Sequence, residues 1–490
     1  MKAKALALIL LTILFILRSP VCRGQAPPQG TPPDTTQGPD QKQDQTAGQA
    51  PAPEQPAPSQ PGEVRTDVFG RPIFTDIVRA DYLNRGFVFW PQLDMMTAEG
   101  FHLIGAVKGE YSSNLNLTDE NRLDDFITTI SAGLRYLKKY GPAGVDLVYL
   151  PGYNIYAKNS DLNYWSHFGT LNTYYGLNSR WTLRLRDFLI RTDDPLEYDP
   201  FSPLNQYFLS TSMERSPHLR NIAEPQIEYR FGPDDYISLL YRNMYYTNDD
   251  PNISDGMENT VNPRLMYWFN VHNGVLLDYS YTAAELNSSP DWAGNDVRAR
   301  YTYRFNPGTS VFAEYYYANR GFDPPSLSYR IHSPTVGGEH AFSPTFNASL
   351  QAGYYVKNPE LGEDESSFAG NLFLTKRTEF TTFNLGLIWG FREEYLTPEN
   401  LGFIEYRRAE INISRQLSAR LSMNLLGLVE KADYESDRRD WIYGACAGLT
   451  WNALKWLSIS PALWYRDRNS NTETFDYREF RGTLRITAMY

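Results

Sequence analysis

From Asp296 to Phe305 the chain alternates strictly. Val297, Ala299, Tyr301, Tyr303 and Phe305 are apolar or aromatic, and Asp296, Arg298, Arg300, Thr302 and Arg304 lie between them. A period of two puts the two sets on opposite faces of a β-strand. The same pattern runs through Ala223, Pro225, Ile227, Tyr229 and Phe231 against Glu224, Gln226, Glu228 and Arg230. At the C-terminus, Phe480, Gly482, Leu484, Ile486, Ala488 and Tyr490 oppose Glu479, Arg481, Thr483, Arg485, Thr487 and Met489. Charges at this density have no place in a dry sandwich core, where an ion without partners is costly. They suit a wall with lipid on one side and water on the other.

The connections between strand-like runs carry a second signal. Short ones, such as Asn178–Arg180, Gly232–Asp234, Asn306–Gly308 and Arg415–Leu417, alternate with long polar ones. The latter include Ser112–Leu123, Thr192–Pro217, Asn319–Leu327, Glu393–Asn400 and Ala432–Arg439. A membrane barrel with both chain ends on the periplasmic side segregates its connections in this way, and a soluble sandwich has no reason to. The sequence therefore predicts an all-β fold. Residues 100–490 form a transmembrane antiparallel up-and-down β-barrel of about 20 strands, within a range of roughly 18–20. Aromatic pairs just before the short turns (Tyr229 and Phe231, Tyr267 and Phe269, Tyr303 and Phe305, His340 and Phe342) predict a girdle at the periplasmic lipid interface. Pro151, Pro225, Pro263 and Pro461 within the runs each forfeit a ladder hydrogen bond, so bulges or local bends are expected there.

The ends of the chain read differently. Lys2 and Lys4 precede an apolar run from Ala5 to Leu17 that is short for a spanning helix, and Cys22-Arg23-Gly24 follows. Residues 1–24 thus read as an export signal cleaved after Gly24. Cleavage leaves Cys446 alone, without an intrachain disulfide partner. Residues 25–62 are rich in Pro, Gln and Ala and nearly devoid of large apolar side chains, which predicts a disordered periplasmic linker. Residues 63–99 regain Phe69, Ile73, Phe74 and Trp90 and read as a short pre-barrel segment. The net charge of −11 argues against a nucleic-acid partner. His residues are scattered, and no phosphate loop, nucleophile elbow or paired Cys ligand set occurs, so neither an enzyme, a metal nor a cofactor is expected.

Lys108-Gly109-Glu110-Tyr111-Ser112-Ser113-Asn114, with Asp124-Asp125-Phe126-Ile127-Thr128-Thr129-Ile130 after it, resembles the opening hairpin of a family of uncharacterised outer-membrane β-barrel porins. Some members of that group sit beside exopolysaccharide genes. Ser112 and Ser113 stand where the group usually has acidic residues. The final strand, ending on Tyr490, resembles the C-terminal signal that the barrel assembly machinery reads in such proteins. The resemblance implies a cell outer-membrane location in a diderm bacterium and contact with outer-membrane lipid and lipopolysaccharide.

The inward phase of the runs nominates pore-lining residues: Arg184, Arg186, Arg230, Arg298, Arg300, Arg304, Arg481 and Arg485 among the cations, and Glu224, Glu228 and Asp296 among the anions. Arg420 falls in the same phase. A cross-strand ion-pair lattice that stiffens the wall would use the same residues. A modest Arg excess would favour anionic solutes. The longest connection carries Asp193, Asp194, Glu197 and Asp199. It either lies across the outer mouth, the arrangement favoured here, or folds inward as a constriction loop opposite the wall arginines. The reading adopted is the first of three: passive diffusion of small hydrophilic solutes, secretion of an acidic exopolysaccharide, and an adhesin or structural barrel with an occluded lumen. A fourth, an enzyme at the outer rim, would need convergent Ser, His and acid side chains at the outer loops.

Overall fold

The computed structural model describes residues 99–490 apart from 195–215, 251–252, 254, 288 and 397–400. The expected signal peptide and linker, nearly all of the pre-barrel segment, and Glu197 and Asp199 lie outside the described residues. The barrel begins with β1 (Gly100–Ser112), β2 (Asp125–Tyr140), β3 (Ala143–Tyr156), β4 (Tyr164–Gly176) and β5 (Trp181–Thr192). It continues with β6 (His218–Arg230), β7 (Tyr236–Asn248), β8 (Gly256–Trp268), β9 (Asn273–Leu286) and β10 (Trp292–Asn306). Next come β11 (Thr309–Phe322), β12 (Tyr329–Ser343), β13 (Phe346–Pro359), β14 (Glu365–Arg377) and β15 (Thr381–Glu394). The last are β16 (Gly402–Ser418), β17 (Leu421–Tyr434), β18 (Arg439–Leu454), β19 (Leu457–Ser470) and β20 (Tyr477–Met489).

Each strand pairs antiparallel with its sequence neighbours, and β20 pairs with β1, so the 20-stranded sheet closes on itself. At the closure, Leu103 and Tyr490 exchange both backbone hydrogen bonds, at 2.7 and 2.9 Å. A closed wall satisfies the ladder without leaving an edge at its ends, which hydrocarbon requires.

The alternation read from the sequence maps onto the two faces. Tyr301 is 47% exposed, whereas its chain neighbour Arg300 turns to the other face and pairs with Glu314 at 2.7 Å. Leu484 and Ile486 are exposed, and Glu479 and Arg481 are buried. Around the short turns, Phe231 contacts Tyr267 at 6.1 Å between ring centres, and Tyr267 contacts Phe269 at 5.0 Å. Tyr303 meets Phe305 and His340 meets Phe342 in the same way, which forms an exposed aromatic belt.

Two expectations need correction. Of the bulges or local bends expected at the prolines, the bulges do not occur. The β2–β3 ladder is interrupted between Ser131↔Gly152 and Leu134↔Tyr149, yet the register is the same on both sides of Pro151. Pro225, Pro263 and Pro461 interrupt one ladder each in the same manner. The register shifts fall instead beside short turns, between Arg304 and Asn306 for example. The contrast in connection length is also weaker than read, because the strands run further toward the long-loop end. Residues 432–434 and Arg439 belong to β17 and β18, which leaves only 435–438 as the connection.

Candidate functional site

Nearest the short turns and at mid-wall, the inner face is a set of ion pairs between neighbouring strands. Glu224 on β6 accepts from Arg186 on β5 and from Arg242 on β7, the latter at 2.6 Å. Glu228 lies 2.5 Å from Arg230 and 4.0 Å from Arg184. Glu314 on β11 holds Arg300 at 2.7 Å and Arg298 at 3.9 Å. Arg264 on β8 binds Asp278 on β9 at 2.6 Å. Arg304 stacks over Trp268 with its guanidinium 3.9 Å from the ring centre. These arginines keep part of their surface free; the side chains of Arg186 and Arg298 are 38% and 39% exposed. Arg485 is half-buried and sits in register with Lys108 across the closing ladder. Arg420 is not on the wall at all. It lies in the turn after β16 and donates to the Ala453 carbonyl at 3.3 Å.

Toward the long loops the same face becomes dense. Arg481 on β20 is 1% exposed and contacts Glu479 at 3.0 Å, Glu110 at 3.6 Å and Asp194 at 2.6 Å. Asp194 follows β5, so the described base of the longest loop turns into the barrel and meets a wall arginine. Its neighbour Asp193 accepts a hydrogen bond from the Tyr156 hydroxyl. Asp296 on β10 holds Arg320 on β11 at 2.8 Å. Glu430 on β17 lies between Arg392 at 2.8 Å and Arg408 at 2.5 Å, with all three side chains at most 3% exposed.

One feature of the described interior was not expected from the sequence. Beyond Trp389, β15 leaves β14, and the tip of the β15–β16 hairpin turns into the lumen as a strap. One face of the strap meets the near wall. Glu393 binds Arg320 at 2.6 Å and accepts from the Tyr329 hydroxyl, which also meets the Tyr395 hydroxyl. Phe391 and Phe403 pack on Tyr355. The strap then reaches the far wall, where Leu396 is buried among Phe188, Ile222, Tyr246, Leu286 and Trp292. Arg220 on β6 donates to the Leu396 carbonyl at 3.3 Å. Burial, with the Glu393 carboxylate next to it, pushes the Tyr395 phenol above its ordinary pKa.

The sequence reading missed Arg220, Arg320, Lys357, Arg392, Arg438 and Arg468, all buried here. Arg438 does lie in a connection, between β17 and β18, whereas Arg320 belongs to β11, where Tyr316, Ala318 and Arg320 continue one inward phase. That continuation was the available signal.

Residues 273–490, which span β9 to β20, match the family described as "Putative beta-barrel porin 2". The match falls on the second half of the barrel, whereas the resemblance read from the sequence rested mainly on the opening hairpin. No curated protein matches the chain. Solved structures similar to it include OccAB4 of Acinetobacter baumannii, 13% identical over 80% of this chain and 99% of that one, with a TM-score of 0.42. The outer membrane protein opdK of Pseudomonas aeruginosa is 11% identical over 80% and 98%, with a TM-score of 0.41. The FrpB iron transporter of Neisseria meningitidis is 9% identical over 80% and 82%, with a TM-score of 0.47. The family match and the closed strand order make this an outer-membrane β-barrel of porin-like fold.

Proposed function

We propose that this porin-family barrel lets small hydrophilic solutes cross the outer membrane by passive diffusion, with a weak preference for anions. The observation that carries the reading is the half-exposed ion-pair face around Arg184, Arg186, Arg298, Arg300 and Arg304. Closed barrels of this strand number enclose an aqueous space unless something fills it. Guanidinium groups that keep water on one side add a field that draws anions. Ion-pairing to Glu224, Glu228 and Glu314 cancels most of that field, so the preference is weak. The N-terminus is read as periplasmic, on the side of the short turns.

The strap favours a second reading, a barrel whose lumen is occluded at the long-loop end. Leu396 and Tyr395 fill space that a solute would need. Planar-bilayer recording separates the two. Stepwise conductance with a reversal potential displaced toward the anion in a KCl gradient supports the channel. A folded barrel that conducts nothing supports the occluded form. Block of an existing current by uronate oligomers, and not by neutral sugars, would instead favour secretion of an acidic polysaccharide.

A further inference from the structure

Among the described residues the wall has a seam between β14 and β15. The β14–β15 ladder ends at the Gly370↔Trp389 pair. β14 nevertheless extends to Glu365 while paired to β13, and β15 extends to Glu394 while paired to β16. Residues 365–369 and 390–394 therefore each keep one backbone edge without a ladder between the two strands. Unpaired backbone is expensive in hydrocarbon and demands cover. Part of the cover is Glu405 on β16. Its Oε1 accepts from Ser367 Oγ at 2.9 Å and Trp389 Nε1 at 3.4 Å, and its Oε2 accepts from the Tyr355 hydroxyl at 3.0 Å.

On the outer face beside the seam, register aligns four residues in one row. Trp389 pairs with Arg407, Arg407 with Lys431, and Lys431 with Trp441. Directly opposed residues share a face. The Arg407 guanidinium sits over Trp389, 4.3 Å from the ring centre, and its buried Nε has no acceptor. Next to the row is a cavity of about 610 Å³, lined by Leu350, Phe368, Trp389 and Trp441 with both cations. Leu350 and Phe368 are 56% and 44% exposed on this face. Glu405 and Asp433 each lie beside one cation, at 3.0 and 3.3 Å, but Glu405 is also held by the seam.

Cations flanked by indole rings, over an apolar cleft in a membrane wall, match an amphiphile with an anionic head. Arginine and lysine near a bilayer surface bind acidic headgroups, and tryptophan favours the same level. We propose that the outer half of the β14–β15 seam binds a phosphate-bearing bilayer lipid. One acyl chain lies in the cleft along Leu350, Phe368 and Trp389, and the phosphate sits between Arg407 and Lys431. The bound lipid completes the cover over the open backbone edges. The site rests on the barrel spanning a membrane and is independent of what crosses the lumen.

The test uses the full chain folded into phosphatidylcholine vesicles that carry a small fraction of lipid with brominated acyl chains. Bromine quenches indole emission on contact, and the part of the quenching lost in Trp389→Phe reports the seam. Brominated phosphatidylglycerol should quench that part at least roughly threefold more than brominated phosphatidylcholine at equal mole fraction. Arg407→Gln with Lys431→Gln should remove the excess. Lys431→Gln alone, which leaves the Glu405 bonds in place, should reduce it, and this keeps the test valid if the double variant fails to fold. Equal quenching by the two lipids, or an excess that survives Lys431→Gln undiminished, overturns the proposal.

Discussion

Arg320 and Glu393 meet at 2.6 Å although β11 and β15 are not neighbours in the wall. The pair ties the inward strap to the barrel. Arg320 also holds Asp296, so removing the guanidinium strands two carboxylates in a region where Arg320 itself is 6% exposed. Breaking a buried pair from one side costs roughly 3–5 kcal/mol. Arg320→Gln should release the strap before it unfolds the wall, because the ladders are untouched. The expected outcome is a larger and noisier single-channel conductance, with unchanged resistance of the folded band on a gel run without heating.

Asp194→Asn should shift selectivity toward anions. Asp194 neutralises part of Arg481, which keeps Glu479 and Glu110 as partners after the change. The variant removes one negative charge from the interior and leaves the wall intact. A reversal potential in a KCl gradient that moves further toward the chloride value checks this. No movement would show that ions do not pass close to Asp194.

Much of the architecture was legible because a membrane wall leaves a simple trace in sequence. Tyr301 and Arg300 fall on the faces that alternation gives them, since lipid and water impose opposite demands on adjacent residues. The ends of the strands were harder to read. Near the long loops the inner face is packed rather than wet, so Tyr316, Tyr329 and Tyr355 face inward, and the apolar-out rule no longer separates the faces. The strap was illegible for a related reason. Phe391, Glu393 and Tyr395 keep the outward phase of β15, and only the departure from β14 turns that phase into the lumen. Nothing local in the sequence marks where a ladder stops.

Gly353 should tolerate no side chain. It lies beside the gap that Pro334 leaves in the β12–β13 ladder, where pairing skips from His332↔Val356 to Thr335↔Gly353. A Cβ on Gly353 would fall 2.1 Å from the Pro334 carbonyl oxygen, a backbone atom that cannot swing aside. The register is the same on both sides of this gap, so the close approach of the two backbones has no slack to take up a side chain. Gly353→Val should therefore lower the yield of folded barrel and its melting temperature, read by heat-modifiable gel mobility and circular dichroism. Gly105→Val is the control, since nothing lies within 4 Å of a Cβ there.

Glu430→Gln should be among the more damaging single changes in the interior. The carboxylate is fully buried and is the shared partner of Arg392 and Arg408, at 2.8 and 2.5 Å. Glu394 would still hold Arg392 at 2.7 Å, but Arg408 would lose its direct carboxylate contact and keep only the charge of Glu410 nearby. A buried guanidinium that loses its counter-ion costs roughly 3–5 kcal/mol, whereas replacing a whole buried ion network with apolar residues of similar size is often neutral. Two variants distinguish desolvation from simple loss of contact. Glu430→Gln alone should move the urea midpoint of unfolding in detergent strongly downward. Glu430→Leu combined with Arg408→Met should recover much of that loss, because the stranded charge is gone. If the double variant is as unstable as the single one, the cost lies in packing at Tyr406, over whose ring Arg392 and Arg408 are stacked at 4.8 and 5.6 Å.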